Sequence, residues 1–211
     1  MSFGEELKEL EQRKEKAREM GGAARVGRRH EQGKLTAREW IEALLDGDTF
    51  LELGLLACSD RPGMEETTPA DGIITGYGRI GGKHVGIIAN DFTVLASSNA
   101  RIYSKKAEKL RRQSSELGFP LIWLGESGGG RVPDIQGARG IVSLICGDDR
   151  SVFSQYSHIR NTPWITAVMG QCTGVPTWQC CLSDFVVQVK GSTLSVAGAR
   201  ALQKAIGATY T

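Results

Sequence analysis

Several familiar signals are missing from this sequence. No apolar run approaches the roughly 18 residues that a membrane helix needs. Residues 1–20 are crowded with Glu, Lys and Arg and have no apolar centre, unlike a signal peptide or an anchor. Histidine is scarce, with 3 in the chain, and His30, His84 and His158 are scattered. The 5 cysteines (Cys58, Cys146, Cys172, Cys180 and Cys181) are an odd number, irregularly spaced and without a Cys-x-x-Cys pair. That pattern disfavours zinc and a disulfide framework, makes the thiols structural or incidental, and fits a reducing cytoplasm. Charge of one sign is also absent. Lys plus Arg is 26 against 24 Asp plus Glu, a net +2, which argues against a nucleic-acid binder working through bulk electrostatics. No Ser-His-Asp order and no paired carboxylate stands out. Glu126, Asp134 and Asp184 are acid candidates that read more naturally as loop caps or solvated groups.

What remains is an ordinary globular composition over 211 residues, 40% hydrophobic and 24% charged, enough for one large or two small domains. Glycine is the exception. The chain has 27, where average use near 7% would give about 15. The glycines cluster beside apolar runs, which points to tight turns and backbone-lined pockets.

Residues 5–20 read as a charged helix ended by Gly21-Gly22. Thr36 with Glu39 is a capping-box start for a helix through Ile41, Leu44 and Leu45, stopped at residues 46–48. Residues 50–53 are strand-like, and 59–71 read as a mobile loop. Residues 72–80 and 83–89 form a hairpin across Gly81-Gly82. A long basic helix covers 98–117, ended by Gly118. Further strands are expected at 121–124, 163–169 and 185–189, and helices at 137–146, 150–160, 175–182 and 198–205. Strands alternating with helices indicate an α/β fold.

Three glycine patterns are candidate sites. Gly76-x-Gly78-x-x-Gly81 has the spacing of a dinucleotide fingerprint, but a strand follows it where a helix would have to start, so it is read as a hairpin. Residues 127–131, Ser-Gly-Gly-Gly-Arg, follow a strand and can bring backbone N–H groups close to a ligand, or can simply be a strained turn. Residues 169–178 run strand, turn, helix. Pro176 has no N–H, so the amides of Gly174 and Val175 are the natural donors to an oxyanion. The chemistry indicated is backbone anion stabilisation.

Taken together, four stretches resemble the carboxyltransferase subunit (beta chain) of biotin-dependent acyl-CoA carboxylases. They are RHEQGKLTARE at 29–39, with Trp40 in place of the usual Arg; NDFTV at 90–94; ESGGGR at 126–131, where many members have DSGGAR; and MGQCTG at 169–174 continuing to Phe185. The resemblance implies a crotonase-like spiral of ββα units with an N-terminal helical extension, divided as 1–48 and 49–211. It implies transfer of a carboxyl group from carboxybiotin to the α-carbon of an acyl-CoA, with backbone oxyanion holes for the enolate and the ureido oxygen. By the match, Gly174 and Val175 form the catalytic hole, with Val175 adding a side chain where many members have Gly. Ser127, Gly128, Gly129, Gly130, Arg131, Thr173, Phe92 and Arg38 would bind substrate. Some of Arg28, Arg29, Lys34, Arg38, Lys105, Lys106, Lys109, Arg111 and Arg112 would meet CoA phosphates, the alternative being a solvated helix face. No metal is implied. The cofactor is biotin on a carrier domain, and the partners are a biotin carboxyl carrier protein, biotin carboxylase, a C-terminal carboxyltransferase domain and like subunits in a hexamer.

Such subunits run to about twice this length, so the chain is expected to be a fragment or half of a split enzyme. Two alternatives stand beside the carboxylase. One is a biotin-coupled decarboxylase or another crotonase-fold acyl-CoA enzyme, although residues 178–183 offer no carboxylate for a hydratase. The other is an inactive piece that only binds CoA or oligomerises.

Overall fold

Oppositely charged side chains three and four apart, such as Glu11 with Lys14 and Glu9 with Arg13, line the first helix, α1 (Gly4–Arg18). This computed structural model describes residues 3–136 and 160–207. The turn after α1 lies against the 91–94 turn. A Cβ on Gly21 would come 2.1 Å from the Thr93 carbonyl oxygen, so only glycine allows this approach. A second helix, α2 (Ala23–Glu31), follows where the sequence carries no start signal, since its N-cap is Gly22 and no side chain caps it. The third, α3 (Ala37–Leu44), begins as expected. Glu39 N–H donates to Thr36 Oγ1 at 3.3 Å, and the Glu39 carboxylate accepts from Thr36 N–H at 2.6 Å.

The sheet runs β1 (Leu51–Leu53), β2 (Ile73–Ile80), β3 (Lys83–Asn90), β4 (Leu121–Ser127), β5 (Trp164–Thr173) and β6 (Phe185–Gln188), each beside the next, with β7 (Thr193–Ser195) paired to the far end of β5. The first three strands are antiparallel, and every later pairing is parallel. Parallel strands need a crossover. From β3 to β4 it is α4 (Arg101–Leu117), closed by Gly118 in the left-handed conformation at φ 75°. Helix α5 (Val132–Ile135) follows β4, α6 (Val175–Leu182) follows β5, and α7 (Ala199–Ile206) follows β7. The helices expected at 137–146 and 150–160 fall outside the described residues, apart from Arg160. Strands β4 and β5 extend past their expected ends, and β7 was not anticipated.

Side chains alternate across the pleat and build two cores. Ile74, Ile87 and Ala89 pack against Ala37, Ile41 and Leu45 at α3. Ile73, Ile88, Leu121, Trp123 and Trp164 pack against Tyr103, Ala107 and Leu110 of α4. The fingerprint-like glycines are notches in this packing. A Cβ on Gly78 would meet Leu45 Cδ1 at 2.4 Å, and one on Gly76 the Leu51 carbonyl oxygen at 2.3 Å. The 59–71 segment, expected to be a mobile loop, is pinned instead. Ser59, Thr68, Ala70 and Asp71 are buried, and Thr68 Oγ1 accepts Ser59 N–H at 2.9 Å and donates to the Met64 carbonyl at 2.7 Å. No helix among the described residues is long and apolar enough to cross a membrane.

Two substitutions test this framework by urea denaturation. Leu110→Ala empties part of the α4 core and should cost about 2–5 kcal/mol. Thr36→Ala removes the cap and should cost about 1 kcal/mol.

Candidate active site

Strands β4 and β5 pair in parallel from Leu121↔Trp164 to Gly125↔Val168, and the register then shifts so that Ser127 faces Cys172. Both glycine-rich turns therefore leave the carboxyl ends of adjacent parallel strands, the usual place for a site in such sheets. Gly129 (φ 106°) and Gly174 (φ 78°) adopt backbone conformations that favour glycine. A Cβ on Gly174 would stand 3.6 Å from Gly129 Cα, so the two expected loops meet.

Their amides divide into engaged and open groups. Gly128 N–H donates to the Ala96 carbonyl at 2.8 Å, and Gly129 N–H to Ser127 Oγ at 3.2 Å. Ser127 is buried and donates to the Ser97 carbonyl at 2.8 Å, so it braces the loop from inside. Gly174 N–H, expected to be open, donates to the Ser195 carbonyl at 2.9 Å because β7 brings that carbonyl over it. Val175 N–H at the start of α6 and Gly130 N–H have no acceptor among the described residues. Both residues are half-buried. Thr173 is buried, with Oγ1 3.5 Å from Ser195 Oγ. Beneath α6, Cys172 and Cys180 pack with Val168. Arg131 points inward, with its side chain 3% exposed and Nη1 donating to Asp71 Oδ1 at 2.6 Å.

Beside this loop is a basic cavity of about 230 Å³ lined by Arg25, Arg28, Arg29, Phe92, Leu95 and Ala96. A Cβ on Gly128 would meet Ala96 Cβ at 3.1 Å, so cavity and loop share a wall. Arg25 and Arg28 are exposed. The Arg29 guanidinium lies 5.9 Å from the Phe92 ring centroid. Arg25 was not singled out from sequence, although Arg25, Arg28 and Arg29 share helical spacing on α2.

The other basic candidates divide sharply. Lys105, Lys109 and Arg112 are exposed. Arg38 lines a different cleft, where it forks onto Glu52 at 2.8 and 3.2 Å. Arg111 is buried, donating to Gln179 Oε1 at 3.3 Å and lying 5.7 Å from the Trp164 ring centroid. Lys106 drives its amine inward onto the carbonyls of Ala70 and Ile73, and burial pushes it down to about 8. Lys106 and Arg111 thus turn toward neighbouring protein groups, while Arg38 stays half-buried against Glu52.

The acids differ from expectation as well. Glu126 is no loop cap. It is buried, with Oε2 accepting from Arg29 Nη2 at 2.7 Å, in space left by Gly170, whose Cβ would fall 2.2 Å from Glu126 Oε1. Asp134 is enclosed beside Arg131 at 3.8 Å. Asp184 does cap, accepting Trp164 N–H at 2.9 Å. Among the described residues, no group of three or more His, Cys, Asp or Glu could hold a metal.

Residues 28–211 match the carboxyl transferase domain. This chain belongs to the carboxyl transferase family. One carboxyl transferase relative, the propionyl-CoA carboxylase carboxyltransferase subunit of Haloferax mediterranei, is 34% identical over 197 residues, 92% of this chain and 37% of its own length. The methylmalonyl-CoA decarboxylase subunit alpha of Veillonella parvula is 30% identical over 211 residues, 98% of this chain and 40% of its own length. The crystal structure of transcarboxylase 12S, a hexamer with methylmalonyl-CoA and methylmalonic acid bound, aligns over 100% of this chain and 40% of that one, with a TM-score of 0.87 and 27% identity. The fold is the expected crotonase-like α/β arrangement. This carboxyl transferase chain spans between 37% and 40% of the length of these relatives.

The Lys106 amine gives a pH prediction. Between pH 8 and 10 the folded form sheds a proton that the unfolded chain, near 10.5, retains. The unfolded state then binds more protons, so this group makes stability rise with pH. Urea titrations across that window should show a steeper rise for the wild type than for Lys106→Met.

Proposed function

We propose that this chain carries part of the active site of a biotin-dependent acyl-CoA carboxyltransferase. The reading rests on one observation. Among the described residues the amides of Gly130 and Val175 have no acceptor, and they sit on two glycine-rich turns that meet at the ends of β4 and β5. A thioester oxygen gains negative charge as the α-carbon becomes nucleophilic. N–H donors fixed by strand pairing stabilise that charge without reorganising, each worth about 3–4 kcal/mol in the transition state. The adjoining cavity fits the rest of the substrate, with Arg25 and Arg28 taking CoA phosphates and Phe92 offering an apolar face. Glu126 is tied to Arg29, which suits a site working through its backbone. Biotin, brought by a carrier domain, supplies the carboxyl group.

On this reading the partners are a biotin carboxyl carrier protein, a biotin carboxylase and the remainder of the carboxyltransferase, assembled in the cytoplasm as a hexamer like the transcarboxylase core. On the same reading Ser127, Arg131 and Thr173 shape the pocket from behind, and Arg38 lines a separate cleft beside Glu52. A decarboxylase is the second reading, favoured by the Veillonella parvula relative. The same amides would stabilise the enolate that loss of carbon dioxide leaves.

Thermal denaturation with CoA and a panel of acyl-CoAs tests the proposal. A ligand at 100 times its dissociation constant should stabilise the chain by about 2.7 kcal/mol. Stabilisation that depends on the acyl group supports the reading, and none from any acyl-CoA rejects it. In the assembled enzyme, replacing the Val175 amide by an ester removes one N–H and should slow carboxyl transfer about 10²–10³-fold.

A further inference from the structure

We propose that Asp71 is a positioning residue for this site, acting through Arg131 to hold the loop that presents Gly130; the assignment rests on the oxyanion reading above. Three successive glycines cannot fix their own conformation, so something must hold the loop. Arg131, immediately after them, does so. Its Nη1 donates to Asp71 Oδ1 at 2.6 Å, its Nη2 to the Ser98 carbonyl at 3.1 Å and its Nε to Ser98 Oγ at 3.3 Å. Its own N–H donates to the Asn99 carbonyl at 2.8 Å, and Asn99 N–H returns a bond to the Gly129 carbonyl at 2.8 Å. The residues on both sides of Gly130 are thereby tied to the 97–99 turn.

Asp71 is where this hold is anchored. It is fully buried, and its second oxygen accepts Tyr103 N–H at 2.7 Å in the first turn of α4. One carboxylate thus joins the active-site loop to the start of the crossover helix. The backbone that delivers it is strained, with Ala70 at φ 50° and Asp71 at φ 52°, both left-handed without being glycine. Such a conformation persists only when its surroundings over-determine it. Here Lys106 grips the carbonyls of Ala70 and Ile73 on either side. The strain places a carboxylate that a relaxed turn would direct elsewhere. Removing either partner of a buried ion pair leaves an uncompensated charge, so the pairing holds Arg131 in one place.

Asp71→Asn keeps the acceptor for Tyr103 but removes the charge facing Arg131. Hydrogen exchange read by mass spectrometry should show the amides of Gly128, Gly129 and Arg131 exchanging about tenfold faster, with those of β2 and β3 unchanged. Affinity for an acyl-CoA should fall about tenfold, while affinity for adenosine 3′,5′-bisphosphate, which needs only the arginine cavity, should hold. Arg131→Lys keeps the charge but loses the fork, and should give the same pattern at lower amplitude. Unchanged loop exchange, or exchange that rises equally across the sheet in both variants, overturns the proposal. So does an equal loss of affinity for both ligands. A wild-type chain that binds neither ligand would reject the oxyanion reading, and the exchange comparison would still decide whether Asp71 holds the loop.

Discussion

The parallel pairing of β4 with β5 is the constraint on which the rest of the site depends. Their hydrogen bonds set two strand ends side by side, and the register shift after Gly125 lets the chain leave the sheet so that Gly129 reaches Gly174. Two buried arginines carry that alignment outward to α4. Arg131 reaches its first turn through Asp71, and Arg111, on α4 itself, reaches Gln179 on α6. The crossover helix therefore braces both walls of the pocket. The basic cavity beside them is positioned separately, by Arg29 of α2 pairing with Glu126 at the end of β4.

These arginines share a chemical logic. A guanidinium is always charged and presents a planar fork of donors, so it can be buried where carboxylates and carbonyls meet it at fixed angles. Arg29, Arg38 and Arg131 each face a carboxylate, with Asp71 and Glu126 among the most enclosed. Burial acts on Asp71 in the opposite sense to its partner. Desolvation raises its carboxyl above the ordinary range, while the Arg131 charge beside it pulls the other way.

Much of the frame was legible because local chemistry dictates it. The Thr36–Glu39 box, the Gly81-Gly82 hairpin and the Gly118 stop each use residues whose backbone preferences leave few options, and α6 covers the residues expected. Helix α2 was not legible, since it begins at a glycine with no capping side chain and is held by contacts far away in sequence. The three-residue β7 is too short to show a period, yet its Ser195 carbonyl is what takes up the Gly174 amide. The pairing of several basic residues was hidden for a related reason. A charge on a helix looks solvated until the partner is known, and the partners of Arg38, Lys106 and Arg111 lie 14, 36 and 68 residues away.

The space shared by Glu126 and Gly170 has an evolutionary reading. The carboxylate occupies the volume where a side chain at 170 would begin, so the two positions form a size-exchange pair. A lineage that lengthens the acid must keep the neighbouring strand bare. One that fills the strand must shorten or move the acid. The sizes of these two side chains are therefore coupled across the β4–β5 pairing.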